Sequence, residues 1–169
     1  MAAAIALVAV TRASAQQHPN LSGEWSTPPE PVPTGRGAGA ARGTMGSGWG
    51  LRFSASQEPG RFTVQYVFFS TYDLQPPIRQ VFALDGSETR NDVMIGHAAV
   101  DRRSRAAWRG DTLVLTTVSS APDPAGGAPR PTQMRQALVL TAPDSLVVET
   151  TRTGPAGRPV VSRTVYTRG

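Results

Sequence analysis

Along most of the chain, apolar and polar residues alternate with a period of two over short stretches, and each stretch stops at a cluster of Gly, Pro, Asp or Asn. That is the pattern of half-buried strands joined by turns. Phe62, Val64, Tyr66 and Phe68 show it clearly. Trp49, Leu51, Phe53 and Ala55 precede them across Glu58-Pro59-Gly60, so the two runs read as a long hairpin with an aromatic inner face. Further strands are predicted over 21–26, 78–84, 91–95, 98–108, 112–118, 132–140, 146–152 and 160–167. Asp85-Gly86, Arg109-Gly110-Asp111, Ala142-Pro143-Asp144 and Gly154 to Gly157 supply turns between them. The run from Asp111 to Thr117 resembles that from Asp144 to Thr151, as expected of a meander of similar hairpins. Almost no stretch carries the period of an amphipathic helix.

About 8–10 strands, each with one apolar face, must bury that face and protect two sheet edges; closing into a single antiparallel up-and-down barrel does both. A two-sheet β-sandwich is the alternative, but it calls for more long crossovers than the Pro/Gly-rich loops at 27–48 and 119–131 provide. At the N-terminus, Ala2 to Val10 is an unbroken apolar run followed by Ala13-Ser14-Ala15, the small-x-small form of a signal peptidase site. The expectation is a signal peptide over 1–15, export to the periplasm or out of the cell, and a single domain over 16–169. No later segment is long and apolar enough to be a spanning helix.

Composition narrows the chemistry by subtraction. The 169 residues include no cysteine, which excludes disulfides, thiolate nucleophiles and thiolate metal sites. All 17 basic residues are arginine, so Schiff-base chemistry, a Walker lysine and a Ser-x-x-Lys pair are excluded as well. A net charge of +5 favours acidic partners mildly and is no nucleic-acid footprint. There is no Gly-x-Ser-x-Gly elbow and no phosphate-binding glycine motif. No cofactor or metal is expected, and the oligomeric state is left open.

Leu21, Gly23 and Trp25 place a Gly-x-Trp at the start of the first strand, while Arg163 and Arg168 lie on the last. First and last strands are neighbours in a barrel, so an arginine from the end can cover the Trp25 indole. Here the chain resembles the lipocalins and the wider calycin barrels, whose hallmark is that Gly-x-Trp with a closing arginine. It departs from them in lacking a Thr-Asp-Tyr box and a helix after the last strand. Together with Leu84 to Glu88 and Ala107 to Val114, the same opening also resembles a set of small uncharacterised secreted bacterial proteins. The resemblance implies a lipocalin-like barrel, with Gly23, Trp25, Arg163 and Arg168 closing it, and a ligand cavity.

On this reading the protein is a non-enzymatic exported barrel that holds a small apolar or amphipathic ligand inside. Trp49, Phe53, Phe62, Tyr66, Phe68 and Trp108 are the candidate lining, with Val64 beside them. The alternatives are an envelope structural or interaction protein with a filled core, and an enzyme using His97 with Asp92 or Asp101 at the barrel mouth. In the densest basic cluster, Arg103, Arg105 and Arg109 share one strand face and are anion-site candidates, while Arg102 takes the other face.

Overall fold

The computed structural model describes residues 18–28, 46–67, 76–95, 98–121, 130–154 and 157–169. The expected signal peptide, most of the 27–48 segment, Phe68 and His97 lie outside them. Strands run over Gly23–Ser26 (β1), Arg52–Glu58 (β2), Arg61–Tyr66 (β3), Ile78–Ala83 (β4), Asp85–Arg90 (β5), Val93–Ile95 (β6), Ala98–Arg109 (β7), Thr112–Ala121 (β8), Arg130–Ala142 (β9), Ser145–Thr153 (β10) and Pro159–Arg168 (β11). They form one sheet in the order β4-β3-β2-β1-β11-β10-β9-β8-β7-β5, with β6 pairing β7 off this path. Every pairing among the described residues is antiparallel. The molecule is a nearly closed up-and-down barrel, and a single continuous sheet rules out the two-sheet sandwich.

Strands β4 and β5 follow each other in the chain yet stand at opposite ends of the sheet order, so the curled sheet must be joined where they meet. Among the described residues no backbone ladder joins them. Side chains do it instead. The buried Asn91 accepts from the Val81 amide through Oδ1 at 2.8 Å and donates to the Val81 carbonyl through Nδ2 at 2.8 Å. Its own backbone N–H donates to the Arg102 carbonyl of β7 at 2.7 Å. A carboxamide has the donor and acceptor of a peptide group, so Asn91 exchanges with Val81 the bond pair that a neighbouring strand would supply. Thr89 Oγ1 extends the seam by accepting from the Ala83 amide at 3.1 Å.

The other junction joins β1 to β11. Trp25 and Arg168 are register partners, and the Arg168 guanidinium carbon lies 4.7 Å from the Trp25 ring centroid. The indole N–H donates to the Leu21 carbonyl at 3.0 Å, and Arg168 Nη2 donates to the Asn20 carbonyl at 3.0 Å. Gly23 makes room for this stack: at φ 143° it sits where a Cβ would lie 3.3 Å from Arg168 Cδ and Nε. Arg163 lies on the opposite face of β11, exposed and paired in register with Glu149.

Two local expectations change. The predicted strand over 49–55 begins only at Arg52; before it, Gly48 and Gly50 adopt φ of 91° and 76°, outside the extended region. Trp49 and Phe53 still point inward, but Leu51 between them is 48% exposed. The chain also does not simply turn at Asp85-Gly86. Asp85 Oδ1 accepts from the Ser87 amide at 2.9 Å in a local Asx-type contact, and a register shift at this point lets β5 continue to Arg90 along β7.

The Asn91→Ala substitution leaves the Val81 N–H and C=O without their partner at the seam. The expected cost is about 2–4 kcal/mol at two unsatisfied groups. Urea unfolding checks this as a lower midpoint at unchanged slope.

Candidate functional site

Alternation along a strand fixes which side chains enter the barrel, and strand register stacks them in rows. Trp108, Leu113, Leu138 and Val148 form one inward row. Ala106, Leu115, Gln136 and Thr150 form the next. Then come Ser104, Thr117, Met134 and Arg152, and last Arg102, Ser119 and Thr132. The interior thus passes from apolar to polar to cationic on the way to the end that carries the 46–51 segment.

The apolar rows pack against Leu21, Trp25, Phe62, Val64, Phe82 and Leu146, all buried. Toward the other end the aromatics interlock: Trp49 and Phe53 are tilted at a centroid distance of 4.8 Å, and Phe53 meets Tyr166 edge-on at 4.9 Å. Trp49 Nε1 donates to Gln80 Oε1 at 3.4 Å, and Ser104 and Thr117 share a hydroxyl hydrogen bond of 3.0 Å. Gln136 Nε2 donates to the Ser47 carbonyl at 2.6 Å. Thr150 Oγ1, fully buried one row below Arg152, has no hydrogen-bond partner among the described residues.

The segment Gly46 to Gly50 is tied into the barrel wall by a chain of donors. The Trp49 amide donates to Ser47 Oγ at 3.1 Å, Ser47 Oγ bonds the Tyr166 hydroxyl, and Tyr166 donates to the Gly50 carbonyl at 2.7 Å. Ser162 Oγ donates to the Gly46 carbonyl at 2.7 Å. Burial pushes the Tyr166 phenol above its usual 10.0, partly offset by the Ser47 hydrogen bond.

Beside this plug lies a cleft of about 290 Å³ whose lining includes Gly48, Arg102, Ser119, Met134 and Arg152. Arg102 Nη1 donates to the Tyr66 hydroxyl at 3.0 Å, which ties β7 to β3 across the barrel mouth. Arg152 crowds the plug: a Cβ on Gly48 would lie 3.4 Å from Arg152 Nη2 and 3.2 Å from Met134 Sδ. Burial lowers the Arg152 pKa, because desolvation disfavours its charge. A second, shallower hollow of about 590 Å³ lies at the opposite end, where His18 stacks on Trp108 at 4.5 Å and 3°.

The residues singled out in the sequence separate accordingly. Trp49, Phe53, Phe62 and Tyr66 converge in the packed interior, whereas Trp108 faces the hollow at the far end. Arg103, Arg105 and Arg109 point outward and are exposed. Arg103 pairs with Asp101 and Glu88, and Arg105 with Glu88 at 3.2 Å. The member of the cluster that reaches the mouth is Arg102. Arg152, its companion in the cleft, was not singled out in the sequence; the signal was parity, since it continues the inward series Leu146, Val148 and Thr150. Asp92 and Asp101 both lie against Arg90 Nε, at 3.0 and 3.3 Å. No protein-family model, no curated protein and no solved structure matches this chain.

Tyr166→Phe removes the donor to Gly50 and is expected to cost about 1–2 kcal/mol at neutral pH. Since the folded-state phenol titrates above 10.0, its contribution is complete below that pH and is lost as pH rises further. Alkaline unfolding curves of the variant should therefore fall less steeply above pH 10 than those of the parent.

Proposed function

We propose that this chain is a non-enzymatic, lipocalin-like barrel, exported to the periplasm or secreted, that binds a small amphipathic ligand through the cleft at the mouth end. The observation that supports this reading is the gradient of the inward rows: Leu113, Leu138 and Val148 lowest, Leu115, Gln136 and Thr150 next, then Met134 beside Arg152, and Arg102 at the opening. A ligand with an apolar part and a polar head matches such a gradient in one orientation only. Met134 is unbranched and adapts its shape, and the arginine stems offer apolar surface below their charged heads. At about 290 Å³ the cleft falls at the small end of ligand sites, which suits a short chain or a single ring. Tyr66 and Trp49 stand next to it, through Arg102 and Gly48 respectively, whereas Phe53 and Phe62 support the wall from within.

A second reading, an envelope structural or interaction protein with a filled core, is favoured by the complete burial of Trp49 and Phe62 and by Val160 and Val161 on β11, which are 65% and 61% exposed. The catalytic alternative rests on His97, outside the described residues.

Thermal shift with a panel of short fatty acids, alcohols and isoprenoids separates the two. Ligand at about 100 times its Kd adds about 2.7 kcal/mol to stability. In a domain of this size that raises Tm by roughly 5–10 °C. Binding is expected for the amphipathic members; a flat panel would refute the ligand-binding reading in favour of the structural one.

A further inference from the structure

The two ends of the barrel expose different side chains. Strand direction alternates along the sheet, so the turns β2–β3, β4–β5, β7–β8 and β9–β10 all lie at the end opposite the mouth. Each has a carboxylate in it or beside it: Glu58, Asp85, Asp111 and Asp144. At the mouth, Leu51 just before β2, Val67 just after β3, Met94 on β6, Val118 toward the end of β8, and Val160 and Val161 at the start of β11 are between 39% and 65% exposed. Of the exposed large hydrophobics among the described residues only Val165 lies elsewhere, lower on the outer wall of β11. Apolar side chains scattered singly over a surface need no explanation, but six gathered at one end mark a contact surface.

The charges follow the same division. Exposed Arg52, Arg79 and Arg158 stand at the mouth ends of β2, β4 and β11, and exposed Arg135 faces out from β9 in register with Thr151, which pairs with Val161. None of these four guanidiniums has an ion pair among the described residues. The described carboxylates nearest the mouth, Asp92 and Asp101, are already held by Arg90 and Arg103. A rim of valines and guanidiniums fits an anionic bilayer: phosphate oxygens take the guanidinium donors, and the valines enter the boundary between headgroups and acyl chains. The turn carboxylates are repelled by such a surface, which sets the orientation. A mouth-to-mouth dimer brings like charges together, and a head-to-tail one meets no exposed large hydrophobic at the far end among the described residues.

We propose that the mouth end docks on an anionic phospholipid surface, with Val160 and Val161 inserted and Arg52, Arg79, Arg135 and Arg158 on the headgroups. This goes beyond the ligand-binding function and does not depend on it.

Co-sedimentation of the full chain with vesicles of phosphatidylglycerol or of phosphatidylcholine tests the proposal. The anionic vesicles should bind about a hundredfold tighter or more, the sum of several arginine contacts. Raising salt from about 0.1 M to about 1 M shortens the Debye length from about 10 Å to about 3 Å and should remove most of that preference. Arg52→Gln, Arg79→Gln and Arg158→Gln should each weaken binding to phosphatidylglycerol about fivefold at the lower salt. Val160→Thr combined with Val161→Thr keeps shape and strand preference, and should weaken it roughly fivefold through lost apolar insertion. Arg109→Gln, at the far end, should leave it unchanged. Every variant keeps residues 1–15, so differences among them report on the mouth. Equal binding to the two lipids, or a loss in Arg109→Gln as large as in the mouth variants, overturns the proposal. So does a chain that binds neither vesicle, including one that sedimentation velocity shows to be a dimer dissolved by the paired valine substitutions. The ligand panel is read separately, and none of these outcomes decides it.

Discussion

Most of this barrel is held by backbone ladders, but its closure between β4 and the β5–β7 side rests on side chains, chief among them one carboxamide. Asn91 is buried; its two side-chain hydrogen bonds cross to Val81 of β4, and its backbone N–H anchors it to β7 through the Arg102 carbonyl. Without that link the inward faces of β3 and β4, with Phe62, Val64 and Phe82, would lie along an open edge instead of against Ala106 and Leu115. Hydrophobic burial supplies the driving force, at roughly 25 cal/mol per Å² of apolar surface. It can act on these strands only while the edge is shut. Asn91 also sets the height at which β7 meets β4, and so the level at which Arg102 comes to face Tyr66.

The interior shows how little is needed to specify a binding end. A period of two sends alternate residues of β7 to β10 inward, and their register converts four separate sequences into common rows. Changing the residue type along each strand from leucine and valine to threonine, glutamine and arginine turns the rows into a vertical gradient. The lower rows are filled with aromatic and aliphatic side chains. The upper rows carry hydroxyls, amides and cations, and the Gly46 to Gly50 plug covers part of them through Ser47 and Tyr166.

How much of this was legible in the sequence follows from the range of each interaction. Strand positions and the antiparallel class come from local alternation and turn residues, which is why β3, β8, β10 and the turns between them could be placed. Gly23, Trp25 and Arg168 could be anticipated because barrel closure makes first and last strands neighbours, though nothing local told Arg168 from Arg163: they sit on opposite faces of β11, and only the register decides. Parity did place Arg102 opposite Arg103, Arg105 and Arg109. Which face was the interior was not visible, since the inward face of the upper strands is polar and looks like a solvent face. Asn91 was hidden for a similar reason. Alternation places it at the head of the strand predicted over 91–95, and its partner Val81 is known only once the sheet has curled.

The charged outer face of β5 and β7 has a consequence for the molecule among its own copies. Arg90 bridges Asp92 and Asp101, and Arg103 and Arg105 reach Glu88, forming an exposed lattice next to the seam. Pairs as exposed as these add little to folding stability. Their effect is on encounters: a seam joined by side chains offers backbone groups whenever it loosens, and a strand from another molecule would have to strip water from six charged groups to reach them. The lattice therefore protects the barrel at its least securely joined edge, keeping local opening from becoming a route to strand exchange or aggregation.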